Sequence, residues 1–283
     1  MPQGRETHAG PSALIGALAG ASCVVMGRED GRIMRRCVLL VVGLVASLLP
    51  PGALRAQGFA AIYAFTWAGL DVGEFRAEVV ERDGGYRATW QGRTTGLVGT
   101  LFPFASEGAS QGLRQGAVLR PSGFEGRSVW RDGSGFWRVA FGPDGRAERV
   151  EVPPEDLADR EPVPEGLRVG PDPATLALTA IAVAGPEARL SAMSFDGKRA
   201  VRYALACGAP EAADLPCTIE AELLAGASRR WRDQRTQEKR PPVRVWLRPG
   251  VRESGLWPVR IEAESRFGTV EARLVRVERP SGS

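Results

Sequence analysis

Gly108-Ala109-Ser110-Gln111-Gly112 has the spacing G-x-S-x-G, in which a strained strand-to-helix turn presents a serine as a nucleophile. That chemistry needs a base to take the serine proton, and a histidine is the usual one. The chain has a single histidine, His8, upstream of a segment that reads as an export signal. The exported form is therefore expected to carry no imidazole. No amphipathic helix follows Gly112, and Gly is abundant enough for a chance match, so Ser110 is read as a non-catalytic serine. Lys198 and Lys239, the two lysines of the chain, have no spacing that suggests a Ser–Lys pair.

Other chemistry meets similar limits. Glu74 and Glu107 neighbour glycines in strand-like segments, and two carboxylates can hydrolyse a glycoside. Ion-paired strand residues are the simpler reading of both. No Asp-rich calcium loop, zinc-ligand spacing, P-loop or dinucleotide fingerprint occurs, so no metal or cofactor is expected. Binding is thus expected rather than catalysis.

The export signal begins at Met34-Arg35-Arg36 and continues through the apolar run Cys37–Leu49 to Pro50-Pro51-Gly52 and Ala56. A basic start, an apolar stretch and a small residue form a secretory signal, with cleavage expected near Ala56. The run is short for a membrane span, which takes about 20 residues; a retained anchor is the alternative. Residues 1–33 read as an upstream extension, in which Cys23 only faintly suggests a lipid-attachment site. This divides the chain into a leader, 1–56, and one β-rich periplasmic domain, 57–283. The leader holds six of the 37 basic and three of the 33 acidic residues, leaving 31 against 30. The basic balance therefore disappears with it, and so does any general electrostatic case for nucleic acid.

Cys207 and Cys217 remain after cleavage. In an oxidising compartment two such cysteines most simply form a disulfide, here across a short loop between strands. A redox pair would show Cys-x-x-Cys at a helix start instead.

The elements that position these residues are mostly strands. Tyr63, Phe65 and Trp67 alternate, as do Phe75, Ala77 and Val79, then Tyr86, Ala88 and Trp90 after the turn Asp83-Gly84-Gly85. Further strand signals cover Val129-Trp130, 136–141, 147–152, 198–206, 218–224, 243–247, 258–263 and 269–277. One polar face per strand implies antiparallel pairing. Glu151–Pro173, rich in proline and acid, reads as an extended crossover into one helix. Asp172 is its N-cap, Pro173 opens it, and Gly185-Pro186 ends it. The helix, about 173–184, is apolar almost all round and so must be buried. The expected fold is a curved antiparallel sheet, or an incompletely closed barrel, wrapped around that helix.

Two surfaces are candidates for binding. Tyr63, Phe65, Trp67 and Trp90 could line a concave face that holds a lipid or other hydrophobe, or simply form core. Arg229, Arg230, Arg232, Arg235, Lys239, Arg240 and Arg244 form a basic cluster interrupted by Trp231, most of it in a polar loop before Pro241-Pro242. They are solvated, or else touch anionic headgroups or an acidic envelope partner.

A further pattern emerges from the order of short motifs. These are Tyr63-x-Phe65-x-Trp67-x-Gly69-Leu70-x-x-Gly73, Gly85-Tyr86, Ser106-Glu107-Gly108, Leu119-Arg120-Pro121, Asp172-Pro173, Phe195-Asp196-Gly197-Lys198-Arg199, Trp246-Leu247, Leu256-Trp257-Pro258-Val259-Arg260 and Gly268-x-Val270. Together they resemble the domain-of-unknown-function family numbered 3108, exported bacterial proteins without an assigned activity. The resemblance spans roughly residues 60–277. It implies an open antiparallel barrel wrapped on a helix, like the lipoprotein-carrier type of fold, a periplasmic location and hydrophobe binding. It supplies no catalytic residue. The alternative function is a structural or adaptor protein of the envelope that binds another protein. Neither reading sets the oligomeric state.

Overall fold

A computed structural model describes residues 57–229, 241–251, 255–265 and 268–278. β1 (Gln57–Trp67), β2 (Leu70–Arg82), β3 (Gly85–Thr94), β4 (Phe104–Gln115), β5 (Val118–Trp130), β6 (Gly133–Phe141) and β7 (Ala147–Glu151) form one meander. β8 (Arg189–Phe195), β9 (Ala200–Cys207), β10 (Leu215–Ala225), β11 (Val243–Pro249), β12 (Leu256–Ser265) and β13 (Gly268–Glu278) form a second. The meanders join where β1 and β13 pair antiparallel, with Ile62 opposite Arg276. The result is one 13-stranded antiparallel sheet whose end strands, β7 and β8, do not pair with each other.

Tight turns and bulges give the sheet its curvature. Asp83 and Gly84 both have positive φ, +52° and +74°, the backbone that suits a two-residue hairpin to the strand twist. Register shifts at Phe65/Thr66, Gln111/Gly112 and Trp246/Leu247 add local bends.

α1 (Gly96–Leu101) lies between β3 and β4, and α2 (Pro154–Leu157) follows β7. The crossover expected to be wholly extended thus contains α2 and a 3₁₀ turn, Glu165–Leu167. It leads into α3 (Pro173–Val183), which touches β4, β5, β8 and β12 across the sheet's inner side. Pro173, Thr175, Leu176 and Thr179 of α3 are buried. Asp172 caps α3 as expected, accepting from the Ala174 and Thr175 N–H groups.

The core fills the space between helix and sheet. Phe59, Phe75, Phe124, Leu176, Phe195 and Trp257 belong to one buried cluster. Cys207 and Cys217 stand opposite each other on β9 and β10 and are disulfide-bonded.

Candidate functional site

Ser110 sits in mid-strand, paired between Ala88 of β3 and Phe124 of β5, and is fully buried. The glycines beside it serve packing. A Cβ on Gly108 would lie 2.2 Å from Trp90 Cζ2, and one on Gly112 would lie 1.9 Å from the Arg120 carbonyl oxygen. The G-x-S-x-G spacing therefore records close approach within a sheet, not a strained elbow.

Ser110 instead joins a buried polar cluster. Its hydroxyl donates to Asp172 Oδ2 at 2.9 Å, and the Thr175 hydroxyl donates to the same oxygen at 2.5 Å. Asp172 Oδ1 accepts from the Ala174 and Thr175 N–H groups at 2.9 and 3.0 Å. Tyr86 adds a hydroxyl 2.5 Å from Thr175 Oγ1. Burial pushes the Asp172 carboxyl above its ordinary range, partly opposed by the Thr175 and Ser110 hydrogen bonds. Burial, and then the Asp172 charge, pushes the Tyr86 phenol up as well. Four donors already occupy the carboxylate, so this cluster ties the start of α3 to β3 and β4 rather than activating a nucleophile. Sequence reasoning found Asp172 as a cap but missed its hydroxyl partners. The available signals were the inward parity of Ser110 and Thr175 in the first turn of the helix.

A second grouping lies on the concave face. Trp90, Gly108, Gly126 and Trp137 stand side by side on β3, β4, β5 and β6. Each indole rests on the bare backbone of the neighbouring glycine: a Cβ on Gly126 would lie 2.5 Å from Trp137 Cζ2. Phe124 links the two, with ring centroids 5.7 Å from Trp90 and 6.1 Å from Trp137. The Nε1–H groups of Trp90 and Trp137, like that of Trp257, are buried with no hydrogen-bond acceptor among the described residues. Lys198 Nζ lies 5.5 Å from the Trp137 ring centroid and 2.6 Å from Asp156 Oδ2.

Of the aromatics singled out in the sequence, Trp90 belongs to this row. Tyr63 is buried in the core, and its hydroxyl donates to the Pro258 carbonyl at 2.9 Å; burial pushes that phenol up. Phe65 is half-buried, 6.3 Å from Phe75. Trp67 is 36% exposed at the β1–β2 turn. It shares the sheet end with Leu70 (68% exposed), Leu97 (75%), Phe102 and Trp130, an apolar rim. Arg131 braces the rim by donating to the Thr100 and Leu101 carbonyls.

Residues 62–275 match the family model described as "Protein of unknown function (DUF3108)". The chain belongs to this family. No curated protein matches it. Among solved structures, the DUF3108 chain is similar to a beta-barrel-like protein of domain of unknown function DUF1849 from Brucella abortus. That likeness has 12% identity and a TM-score of 0.43, and covers 79% of this chain and 98% of the other.

On the convex face of the DUF3108 sheet, Glu74 pairs with Arg93 at 2.6 Å and Glu107 with Arg127 at 2.7 Å. Both carboxylates are held by arginines on the neighbouring strand. No group of three His, Cys, Asp or Glu side chains fit to hold a metal occurs among the described residues. Arg229 is exposed and its backbone N–H donates to the Asp159 carbonyl. Arg230 and Arg232 lie outside the described residues.

Proposed function

We propose that this DUF3108 protein is exported to the periplasm and binds a lipid or similar hydrophobic molecule against its concave sheet face. The row Trp90–Gly108–Gly126–Trp137 carries the reading. Two glycines let two indoles lie flat on the strands, and the result is an apolar wall with two unsatisfied N–H groups. A buried donor left unpaired costs about 1–3 kcal/mol. An ester or carboxyl oxygen of an acyl ligand, admitted by a small shift of the rings, would supply the acceptor. Export is supported by the signal-like order of residues 34–56 and by the Cys207–Cys217 disulfide, which an oxidising compartment preserves. Binding rather than catalysis is supported by the removal of His8 with the leader in this reading and by the sealed surroundings of Ser110.

The test is native mass spectrometry of protein purified from its own periplasm. A co-purifying lipid mass is expected, and it should be lost or greatly reduced in a Trp90→Phe/Trp137→Phe variant, which keeps an aromatic ring at each position but not its N–H donor. A clean apo mass together with no uptake of added fatty acid or phospholipid would defeat the reading. The exposed rim around Trp67, Leu97 and Trp130 favours one second reading, an envelope adaptor that docks another protein. It predicts that clean apo mass alongside a protein partner.

A further inference from the structure

Each neighbouring pair of strands within the sheet is joined by a hydrogen-bonded ladder, whereas the end strands β7 and β8 do not pair with each other. The segment Arg168–Pro171 lies between them. On one side the Ala147 N–H donates to the Arg168 carbonyl and the Gly170 N–H to the Gly145 carbonyl, at 2.9 and 3.0 Å. On the other, the Phe195 N–H donates to the Pro171 carbonyl at 3.2 Å. Pro171 has no N–H with which to return a bond. Gly170 has φ +101°, and a Cβ there would lie 2.6 Å from the Met193 carbonyl oxygen. The strap is thus threaded closely between two edges: it forms an antiparallel bridge, Arg146–Val169, on the β7 side, and a single backbone hydrogen bond joins it to β8 among the described residues.

A second fastening lies beside it. The β8–β9 turn brings Gly197 against β6, where a Cβ would lie 3.1 Å from Val139 Cγ2. The next residue, Lys198, forms its 2.6 Å ion pair with Asp156 just after α2 begins. Both side chains are largely buried, and Lys198 also faces Trp137. The ion pair therefore joins the two meanders next to one indole of the candidate binding wall.

We propose that the wall opens along this β7–β8 seam: the Arg168–Pro171 strap parts from β8, the Lys198–Asp156 pair separates, and a hydrophobic ligand gains the concave face sideways. The ligand's identity rests on the function proposed above; the opening itself does not. The movement breaks the Phe195–Pro171 hydrogen bond and the Lys198–Asp156 pair, while the ladders on either side stay intact and Asp159, Arg160 and Glu161 stay tied to Gly226–Arg229 as the hinge. The downstream end of the strap is held at Asp172 by its four hydrogen bonds, so the strap can swing without releasing α3.

Hydrogen exchange on the exported chain tests the opening. In Lys198→Met the amides of Ala147, Gly170 and Phe195 are expected to exchange at least tenfold faster than in the unchanged protein, while those of β1 and β13 keep their rates. Equal acceleration in every strand, or none at the seam, would overturn the proposal. A second variant, Asp156→Cys/Lys198→Cys joined by a bis-maleimide, should slow uptake of a fluorescent fatty acid at least tenfold and restore slow exchange at the three amides. Unchanged uptake in the cross-linked protein would show that the ligand enters elsewhere and would also overturn it. If the unchanged protein takes up no fatty acid, the binding reading fails, and the exchange rates still decide whether the seam opens.

Discussion

Asp172 lies wholly inside the protein with four hydrogen-bond donors on its carboxylate and no basic side chain among them. Because burial outweighs those donors, its carboxyl titrates above the ordinary range in the folded chain. A raised folded pKa means that its contribution to stability is fully present below the unfolded value, near 3.9, and is lost as pH rises through the folded one. Asp196 acts oppositely. Burial would raise it, but Arg199 and the Lys198 and Arg199 N–H groups more than offset that and hold it low. Its contribution is present above the unfolded pKa and is lost as pH falls through the folded one. The two effects overlap in the native protein, so a variant is needed to separate them. Asp172→Asn keeps the cap and the shape but cannot ionise. Relative to the unchanged protein, its urea-unfolding free energy should improve as pH is raised from 4 to 7, ending within about 1 kcal/mol or above. Asp172→Ala removes the cap and leaves the Ser110 and Thr175 hydroxyls without their acceptor, a loss of about 2–4 kcal/mol. If Asn is as damaging as Ala, or the pH trend is unchanged, the carboxylate is not acting as described.

β4 shows why an element can be hidden in the sequence. Its inward positions are Ser106, Gly108, Ser110 and Gly112, so the strand has no apolar alternation to read. Two of the four are glycines because Trp90 and the Arg120 carbonyl take the space a Cβ would need, and Ser110 is polar because Asp172 needs a donor. Each cause lies on another element, and Asp172 is 62 residues away. The strands with alternating aromatics, β1 to β3, were legible because their own side chains supply the core. α3 was legible through Asp172-Pro173 at its start, which acts locally. The packing account of β4 makes a sharp comparison between two strand glycines. Gly108→Ala would place a methyl 2.2 Å from Trp90 Cζ2 and 2.5 Å from the Glu125 carbonyl oxygen, and that backbone atom cannot yield. Gly123→Ala on β5 would meet nothing nearer than Gln111 Cγ at 3.7 Å. The first should cost about 1–3 kcal/mol in urea unfolding and alter the near-ultraviolet circular dichroism of the tryptophans; the second should cost little. Equal costs would mean that strand entropy, not the Trp90 contact, governs the position.

At the scale of the molecule the two ends of the sheet differ. The β1–β2 turn, α1 and the β5–β6 turn place Trp67, Leu70, Leu97 and Trp130 in solvent at one end. β10 finishes and β11 begins at that same end, as their pairing through β12 and β13 to β1 requires. The connection between them carries Arg229, Arg230 and Arg232 in the sequence, whereas Cys207 and Cys217 mark the opposite end. Which end each motif occupies was not legible beforehand, because it depends on β1 pairing with β13, some 200 residues along the chain. A lipid-handling protein with this polarity would meet an anionic bilayer with its rim, through two separable forces. Arginines near a charged surface contribute about 1 kcal/mol each and are screened by salt; exposed Trp and Leu contribute through buried apolar area and are not. Arg229→Ser/Arg230→Ser/Arg232→Ser should therefore weaken binding to anionic liposomes at least tenfold at low salt, with the difference shrinking as salt is raised. Trp67→Ser/Trp130→Ser should weaken it by a factor that salt leaves largely unchanged. Vesicle flotation across a salt series checks both, and binding that neither variant alters would exclude this end of the sheet as the contact.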